Sequence, residues 1–111
     1  MTRIFKLAMG SIFLVGSVTP SGAAYYWTGN DLFEECEKES VGCYGYLFGI
    51  NDIGSIETGI FRSEVALCIP KSVTGKQMRD VVMQRLTSRP QDRNDPAAYI
   101  VVASFREAWP C

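Results

Sequence analysis

The sequence contains no histidine. A Ser-His-Asp or Cys-His catalytic arrangement therefore cannot be built, and the side chain that most often shuttles protons near neutral pH is missing. A mixed zinc site lacks its histidine too, and the four cysteines include no closely spaced pair of the kind that zinc sites use. If all four cysteines form disulfides, no thiolate nucleophile remains, and carboxylates are the only catalytic side chains left to consider.

The sequence also lacks an excess of positive charge, since 11 basic residues face 12 acidic ones. A nucleic-acid-binding domain usually carries a basic stripe, so the composition argues against a nucleic-acid partner. The apolar run Leu7–Val18 has about a dozen residues, whereas about 20 are needed to cross about 30 Å of hydrocarbon. We therefore expect no membrane anchor.

The N-terminal segment is typical of a signal peptide. Arg3 and Lys6 precede the apolar run, and Gly22 and Ala24 occupy two small positions after it. A basic segment, an apolar segment and a small-x-small end are the three parts of an export signal. We therefore predict a signal peptide over residues 1–24. Its removal leaves nine basic and 12 acidic residues, a net charge of −3, on a protein that we expect in the periplasm and not in the membrane.

All four cysteines, Cys36, Cys43, Cys68 and Cys111, lie after the predicted cleavage site. A single domain over residues 25–111 buries only about 60–65% of its unfolded surface, so its core needs support. Two disulfides formed in an oxidising compartment would each add about 2–4 kcal/mol. Four cysteines allow three connectivities, and their spacing alone does not choose among them.

Four helices are predicted from capping residues and from apolar positions at helical spacing. The first begins at Thr28, with Asp31 in its first turn, and the second begins near Val41 or Cys43. The third opens on Thr74 and Gln77, a capping-box pair. The predicted apolar stripes are Leu32, Phe33 and Cys36 in the first helix, Cys43, Leu47, Ile50 and Gly54 in the second, Met78, Val81, Val82 and Leu86 in the third, and Ala98, Val101, Val102, Phe105 and Trp109 in the fourth.

Three further expectations concern the helix ends and their connections. Asp95 is expected to cap the fourth helix, with Pro96 at its first position. Gly45 and Gly49, four apart in the second helix, predict close approach of another helix or of the terminal segment. Residues 62–68 alternate between apolar and polar side chains, which indicates an extended segment. Together these elements predict a small all-α fold, a four-helix bundle-like domain stapled by two disulfides.

The order of short motifs along the chain resembles that of the Rap/Tai group of exported immunity proteins, which protect bacteria from peptidoglycan amidase effectors of type VI secretion. The resemblance covers Gly29 to Cys111 and implies a helical periplasmic protein, often dimeric, that binds a cell-wall amidase and blocks its active-site cleft. We therefore expect neither enzymatic activity nor a cofactor. The motifs are Thr28-Gly29-Asn30-Asp31-Leu32 before Cys36, Cys43-Tyr44-Gly45-Tyr46 before Gly49 and Asp52, Cys68-Ile69-Pro70, Thr74 and Gln77 before Pro90, and Ala97-Ala98 before the terminal Ala108-Trp109-Pro110-Cys111.

The charged loop between the third and fourth helices is the predicted partner-binding site. Pro90 and Pro96 restrict its two ends, and a preorganised loop loses less entropy on docking. A purely solvated loop is the alternative. The residues predicted to contact the partner are Arg89, Asp92, Arg93 and Asp95.

Three other groups each have a functional and a structural interpretation. Asp52 is an interface anchor or a local hydrogen-bond partner. The glutamates of residues 34–39 resemble the carboxylate pair of a glycosidase, but such a pair needs a cleft between its members, so a solvated helix face is preferred. The aromatic residues 25–27 bind a partner or pack loosely on the bundle.

The disulfide pairing is predicted from the lengths of the elements. A second helix of about 12 residues spans about 18 Å, and the extended segment Arg62–Cys68 covers about 23 Å on its return. That brings Cys68 beside Cys43 and leaves Cys36 for Cys111.

An acid-stress chaperone is the alternative function. Such a small, exported helical protein exposes apolar surface when its carboxylates are protonated, and this chain has 12 acidic residues and no histidine. A chaperone of that type needs one disulfide, whereas four cysteines favour the immunity-like scaffold.

Overall fold

Helices account for most of the chain that the computed structural model describes, which comprises residues 26–56 and 66–111. The α-helices are α1 (Gly29–Glu37), α2 (Val41–Gly54), α3 (Gly75–Ser88) and α4 (Ala97–Ala108), and a 3-10 turn, Pro90–Asp92, separates α3 from α4. No β-strand forms within the described ranges. The predicted all-α fold with four helices is confirmed.

Two predictions concern residues that lie wholly or partly outside these described ranges. The predicted signal peptide, residues 1–24, lies outside the described residues, and so do residues 62–65 of the predicted extended segment. The described part of that segment, from residue 66 onward, is neither helix nor strand up to Pro70.

Three of the helices begin at side-chain caps. Thr28 and Asp31 form a capping box, in which the Thr28 N–H donates to the Asp31 carboxylate over 2.9 Å. Thr74 and Gln77 form the same arrangement at α3, and the Ser40 hydroxyl accepts a backbone N–H in the first turn of α2. Each cap satisfies donors that the helix itself leaves unpaired, which stabilises the helix by about 0.5–2 kcal/mol. The predicted capping box of α3 and the predicted N-cap Thr28 are confirmed.

The start of α4 corrects the prediction that Asp95 caps it. Pro96 occupies the N-cap position, and no side chain caps the helix. The Ala97 N–H instead donates to the Trp27 carbonyl over 2.9 Å, and the Gly29 N–H donates to the Asp95 carbonyl over 2.9 Å. The backbone leading into α1 thus satisfies the donor that the Asp95 carboxylate was expected to satisfy, and it ties the starts of α1 and α4 together.

The core lies where α3 packs against α2 and α4, with α1 in contact with all three. Its α4 stripe differs from the predicted one, because Ala98 is exposed and Val102 and Trp109 are only partly buried. Ser104 is buried in their place, with its hydroxyl donating to the Ile100 carbonyl over 2.7 Å. The buried apolar residues are Leu32, Cys36, Cys43, Leu47, Leu67, Met78, Val82, Leu86, Ala97, Ile100, Val101 and Phe105.

All four cysteines are in disulfides, but the predicted pairing is wrong. Cys36 bonds to Cys43 with a Cα–Cα distance of 4.9 Å, and Cys68 bonds to Cys111 with a Cα–Cα distance of 5.2 Å. The connection from α1 to α2 is only three residues long, and its positive φ of 52° at Glu39 turns the chain sharply. The last turn of α1 therefore faces the first turn of α2, and the first two cysteines meet in the core.

Gly45 and Gly49 of α2 do not mark a close contact with the described residues, contrary to the prediction. Within residues 26–56 and 66–111, no atom outside the local helix lies within 4 Å of where a Cβ would stand at either glycine, and both residues are exposed. The close approach occurs at Gly29 instead. A Cβ there would lie 2.5 Å from Cδ1 of Ile100 and 2.8 Å from Cα of Arg93.

Gly29→Ala should therefore destabilise the fold by about 1–3 kcal/mol, because the added methyl group overpacks a site bounded partly by rigid backbone. Gly49→Ala is the matched control. It adds the same methyl group in open space within a helix, so we expect a gain of up to about 1 kcal/mol. Urea unfolding of both variants measures the difference, and equal midpoints would contradict the packing at Gly29.

Candidate partner-binding site

The loop between α3 and α4 is held in one conformation by its own backbone. The Asp92 N–H donates to the Arg89 carbonyl over 3.0 Å, the Arg93 N–H to the Pro90 carbonyl over 3.2 Å, and the Asp95 N–H to the Asp92 carbonyl over 3.0 Å. These bonds form the 3-10 turn and extend it by one further turn. A segment with this many internal bonds is already ordered before any partner arrives.

The same loop is anchored to the first turn of α1. The Asn30 N–H donates to the Arg93 carbonyl over 2.9 Å, and the Asn30 side-chain amide donates to the Asn94 side chain over 3.2 Å. The bond from Gly29 to the Asp95 carbonyl adds a third connection. Binding through this loop would therefore lose little conformational entropy.

Arg93, one of the predicted contact residues, points toward the protein. Its Nε donates to the Leu86 carbonyl over 2.7 Å, and its guanidinium carbon lies 3.9 Å from the centroid of the Phe33 ring. The first interaction satisfies a carbonyl near the end of α3 and the second is a cation–π contact. Both attach the loop to the bundle.

Arg89 and Asp92 lie on the accessible side of the loop and bond to each other through Nε and Oδ2. The Asp92 carboxylate raises the pKa of Arg89, so the guanidinium stays charged. The Arg89 side chain is 49% exposed, and an ion pair in such contact with water contributes little to stability. A partner could replace it at small cost. The Asp95 residue is exposed as well.

A groove beside the loop, between α3 and α4, was not predicted from the sequence. Its volume is about 600 Å³. Arg85 and Glu107 meet in it, with 3.2 Å between Nη1 and Oε1. The two residues are 22 positions apart, so only the packing of the helices reveals the pair. The lining residues are Val81, Gln84, Arg85, Ser88, Arg89, Ser104, Glu107 and Ala108.

The glutamates of residues 34–39 have separate local roles. Glu35 accepts from the Ser40 hydroxyl over 2.7 Å and pairs with Lys38 over 3.3 Å, and these contacts lower the pKa of Glu35. Glu39 accepts from the Tyr44 hydroxyl over 2.9 Å. Glu35 and Glu39 thus have different partners. Asp52, the other candidate carboxylate, is exposed near the end of α2.

The aromatic residues before α1 are partly built into the fold. Trp27 stacks on Tyr46, with 5.0 Å between ring centroids and 8° between planes, and burial raises the pKa of Tyr46. Tyr26 remains 60% exposed and Tyr99 72% exposed. With Pro96 and Ala98 they line a pocket of about 350 Å³. Tyr25 lies outside the described residues.

Neither a metal centre nor a membrane span is found within residues 26–56 and 66–111. No group of three or more Cys, Asp or Glu side chains there is arranged to hold a metal ion. The helices in these ranges are too short or too polar to cross a bilayer.

Comparison with known families covers the same part of the chain as the four helices. Residues 28–111 match the family model of Rap1a immunity proteins. The chain belongs to the Rap1a immunity protein family. The match begins at the N-cap of α1 and ends at the second disulfide, so it includes all four described α-helices and both disulfides of this Rap1a protein. The resemblance inferred from the motifs is confirmed. No curated protein and no solved structure matches the chain significantly.

The motif residues of this Rap1a protein mostly build the scaffold. Thr28 and Thr74 cap helices, and the absence of a side chain at Gly29 leaves room for Ile100 and for the backbone of the α3–α4 loop. The cysteines of the motifs are all in disulfides. Since these residues are committed to the fold, selectivity for a partner has to come from exposed positions between them.

Proposed function

We propose that this Rap1a protein acts in the periplasm, where it binds a peptidoglycan amidase effector of type VI secretion and occludes its active site. Family membership provides the immunity role, and two disulfides fit a protein exported to an oxidising compartment. The amidase and the occlusion are our proposal. The observation that carries it is the ordered, charged loop between α3 and α4.

The loop is suited to enter a cleft because its shape is fixed while its outer charges are available. Arg93 and Asn30 attach it to the bundle, which leaves Arg89, Asp92 and Asp95 for a partner. Arg89, which is exposed, and Asp92, which is partly buried, can exchange their mutual bond for charge-assisted hydrogen bonds to polar groups of the cleft.

The exposed face of α2 supports a homodimer as part of the same proposal. Val41 is 88% exposed and Phe48 is 43% exposed, and Gly45 lies between them on the same side of the helix. With no side chain on Gly45 to hold it away, the backbone of a second copy of the chain can approach closely at this position.

Replacing both Arg89 and Asp92 with alanine should weaken binding to the cognate amidase effector by at least tenfold, about 1.4 kcal/mol. Arg93 is left unchanged because its contacts hold the loop. Calorimetry measures the affinity. Lys71→Ala is the control, since it removes an exposed charge before the start of α3, about 20 Å along the helix from Arg89, and should leave affinity unchanged.

Occlusion is tested by hydrolysis of a small soluble muropeptide by the same amidase. Stoichiometric wild-type protein should abolish hydrolysis even of this small substrate, because a blocked active site excludes every substrate. Inhibition restricted to intact cell walls would argue against occlusion, and absence of binding by the unchanged protein would refute the proposed function.

A further inference from the structure

The groove between α3 and α4 presents two guanidinium groups along one edge. Arg85 lies in the last turn of α3, and Arg89 is the C-cap residue, whose N–H donates to the Arg85 carbonyl over 3.0 Å. Both line the groove, with Ser88 between them. The Arg85 side chain is 26% exposed, and it lines the groove where its Nη1 meets Glu107.

One glutamate of α4, Glu107, supplies negative charge beside these two arginines. Glu107 contacts Arg85 over 3.2 Å. After Asp92, Glu107 also contributes to the raised pKa of Arg89. It lines the groove together with both arginines, so its carboxylate competes with any other carboxylate that binds Arg85 there.

Glu107 is weakly held in this position. Its side chain is 78% exposed, and an ion pair that exposed to water contributes little to stability. Among the described residues, Arg85 makes one side-chain hydrogen bond, through Nη1 to Glu107, although a guanidinium has five N–H donors. Arg85 thus retains donors for a carboxylate that approaches in a bidentate geometry.

We propose that this groove receives an acidic side chain of the bound hydrolase, which displaces Glu107 and pairs with Arg85 and Arg89. The inference rests on the proposed function and adds to it the chemistry of one contact on the partner. Charge complementarity decides the occupant. Once Glu107 has swung into solvent, two cations face the groove, and Asp92 offsets only one of them. A shared boundary at Arg89 makes the groove continuous with the proposed binding loop.

Substitutions at Arg85 and Glu107 should have opposite effects on affinity for the cognate hydrolase. Arg85→Gln removes the guanidinium that donates to the incoming carboxylate and should weaken binding at least tenfold. Glu107→Gln removes the internal competitor and should strengthen binding about threefold or more. If the pair only stabilised the fold, both variants would lose affinity together. Lys76→Gln, the same loss of charge nearer the start of α3, should change affinity less than twofold.

A second measurement tests the groove without the hydrolase. Acetyl-Gly-Glu-Gly-amide should shift the Nε–H resonances of Arg85 and Arg89 saturably in NMR spectra, at lower concentration in the Glu107→Gln variant, and the corresponding glutamine peptide should not. Equal responses to the two peptides would overturn the inference, as would tighter binding of a muropeptide than of the acidic peptide.

The two proposals fail in different ways. If the Arg89 and Asp92 variant loses affinity while the Arg85 and Glu107 variants bind like wild type, the groove inference is wrong and the immunity proposal stands. If the hydrolase does not bind the unchanged protein, the proposed function fails, and the assignment of the groove to that partner fails with it.

Discussion

Replacement of Phe105 with alanine should lower the free energy of unfolding by about 3–5 kcal/mol. The Phe105 ring is fully buried in α4, and its centroid lies 5.9 Å from that of Trp109. Removing it leaves a cavity in the common core of the helices. Domains of this size have a total stability of about 5–15 kcal/mol, so the loss is a large part of the margin.

Urea unfolding followed by circular dichroism measures this effect. Tyr99→Ala is the matched control, because Tyr99 lies on the same helix but is 72% exposed, and exposed substitutions usually change stability by less than about 0.5 kcal/mol. An unchanged midpoint for the Phe105 variant would show that this face of α4 is not in the core.

The sequence is most informative where structure is decided over a few residues. Thr74 and Gln77, three positions apart, form the predicted capping box, and Thr28 is the predicted N-cap, whose pairing with Asp31 completes a second capping box. The α3 stripe follows from spacing alone, and its member Val82 is completely buried. Local hydrogen bonds and helical periodicity therefore give the number of helices and the start of three of them.

Long-range contacts explain most of the errors. The start of α4 is fixed by the Trp27 carbonyl, about 70 positions earlier in the chain, so no local signal marks it. The buried stripe of α4 includes Ser104, which hydropathy assigns to the surface, because its hydroxyl bonds to the helix backbone. The predicted disulfide pairing is wrong because the lengths of the segments do not reveal the sharp turn at Glu39.

The candidate site is also predictable from the sequence only in part. Proline positions and charge density predict an ordered loop, and hydrogen bonds within the loop agree with that. The direction of each side chain does not follow from them. Arg93 turns toward Phe33 while Arg89 remains accessible, and the meeting of Arg85 with Glu107 depends on the packing of two helices.

Replacing Cys68 and Cys111 together with serine should cost about 4 kcal/mol, since the bridge closes a loop of 43 residues and the entropy lost by the unfolded chain grows with loop length. The Cys36–Cys43 bridge closes only seven residues, and the same relation gives about 2 kcal/mol for it. The Cys68–Cys111 bridge, which closes the longer loop, is therefore expected to contribute more to stability, although it lies at the surface.

Exposure makes the Cys68–Cys111 variant a clean measurement of this entropic contribution. Both residues are exposed, so two serines leave no cavity and bury no hydroxyl, whereas Cys36 and Cys43 are completely buried. Urea unfolding of the double variant should give a native helical signal with a lowered midpoint. Limited reduction followed by alkylation should label Cys68 and Cys111 first, because reductant reaches them without unfolding. Peptide mapping that found Cys43 joined to Cys68 would refute the pairing on which both expectations depend.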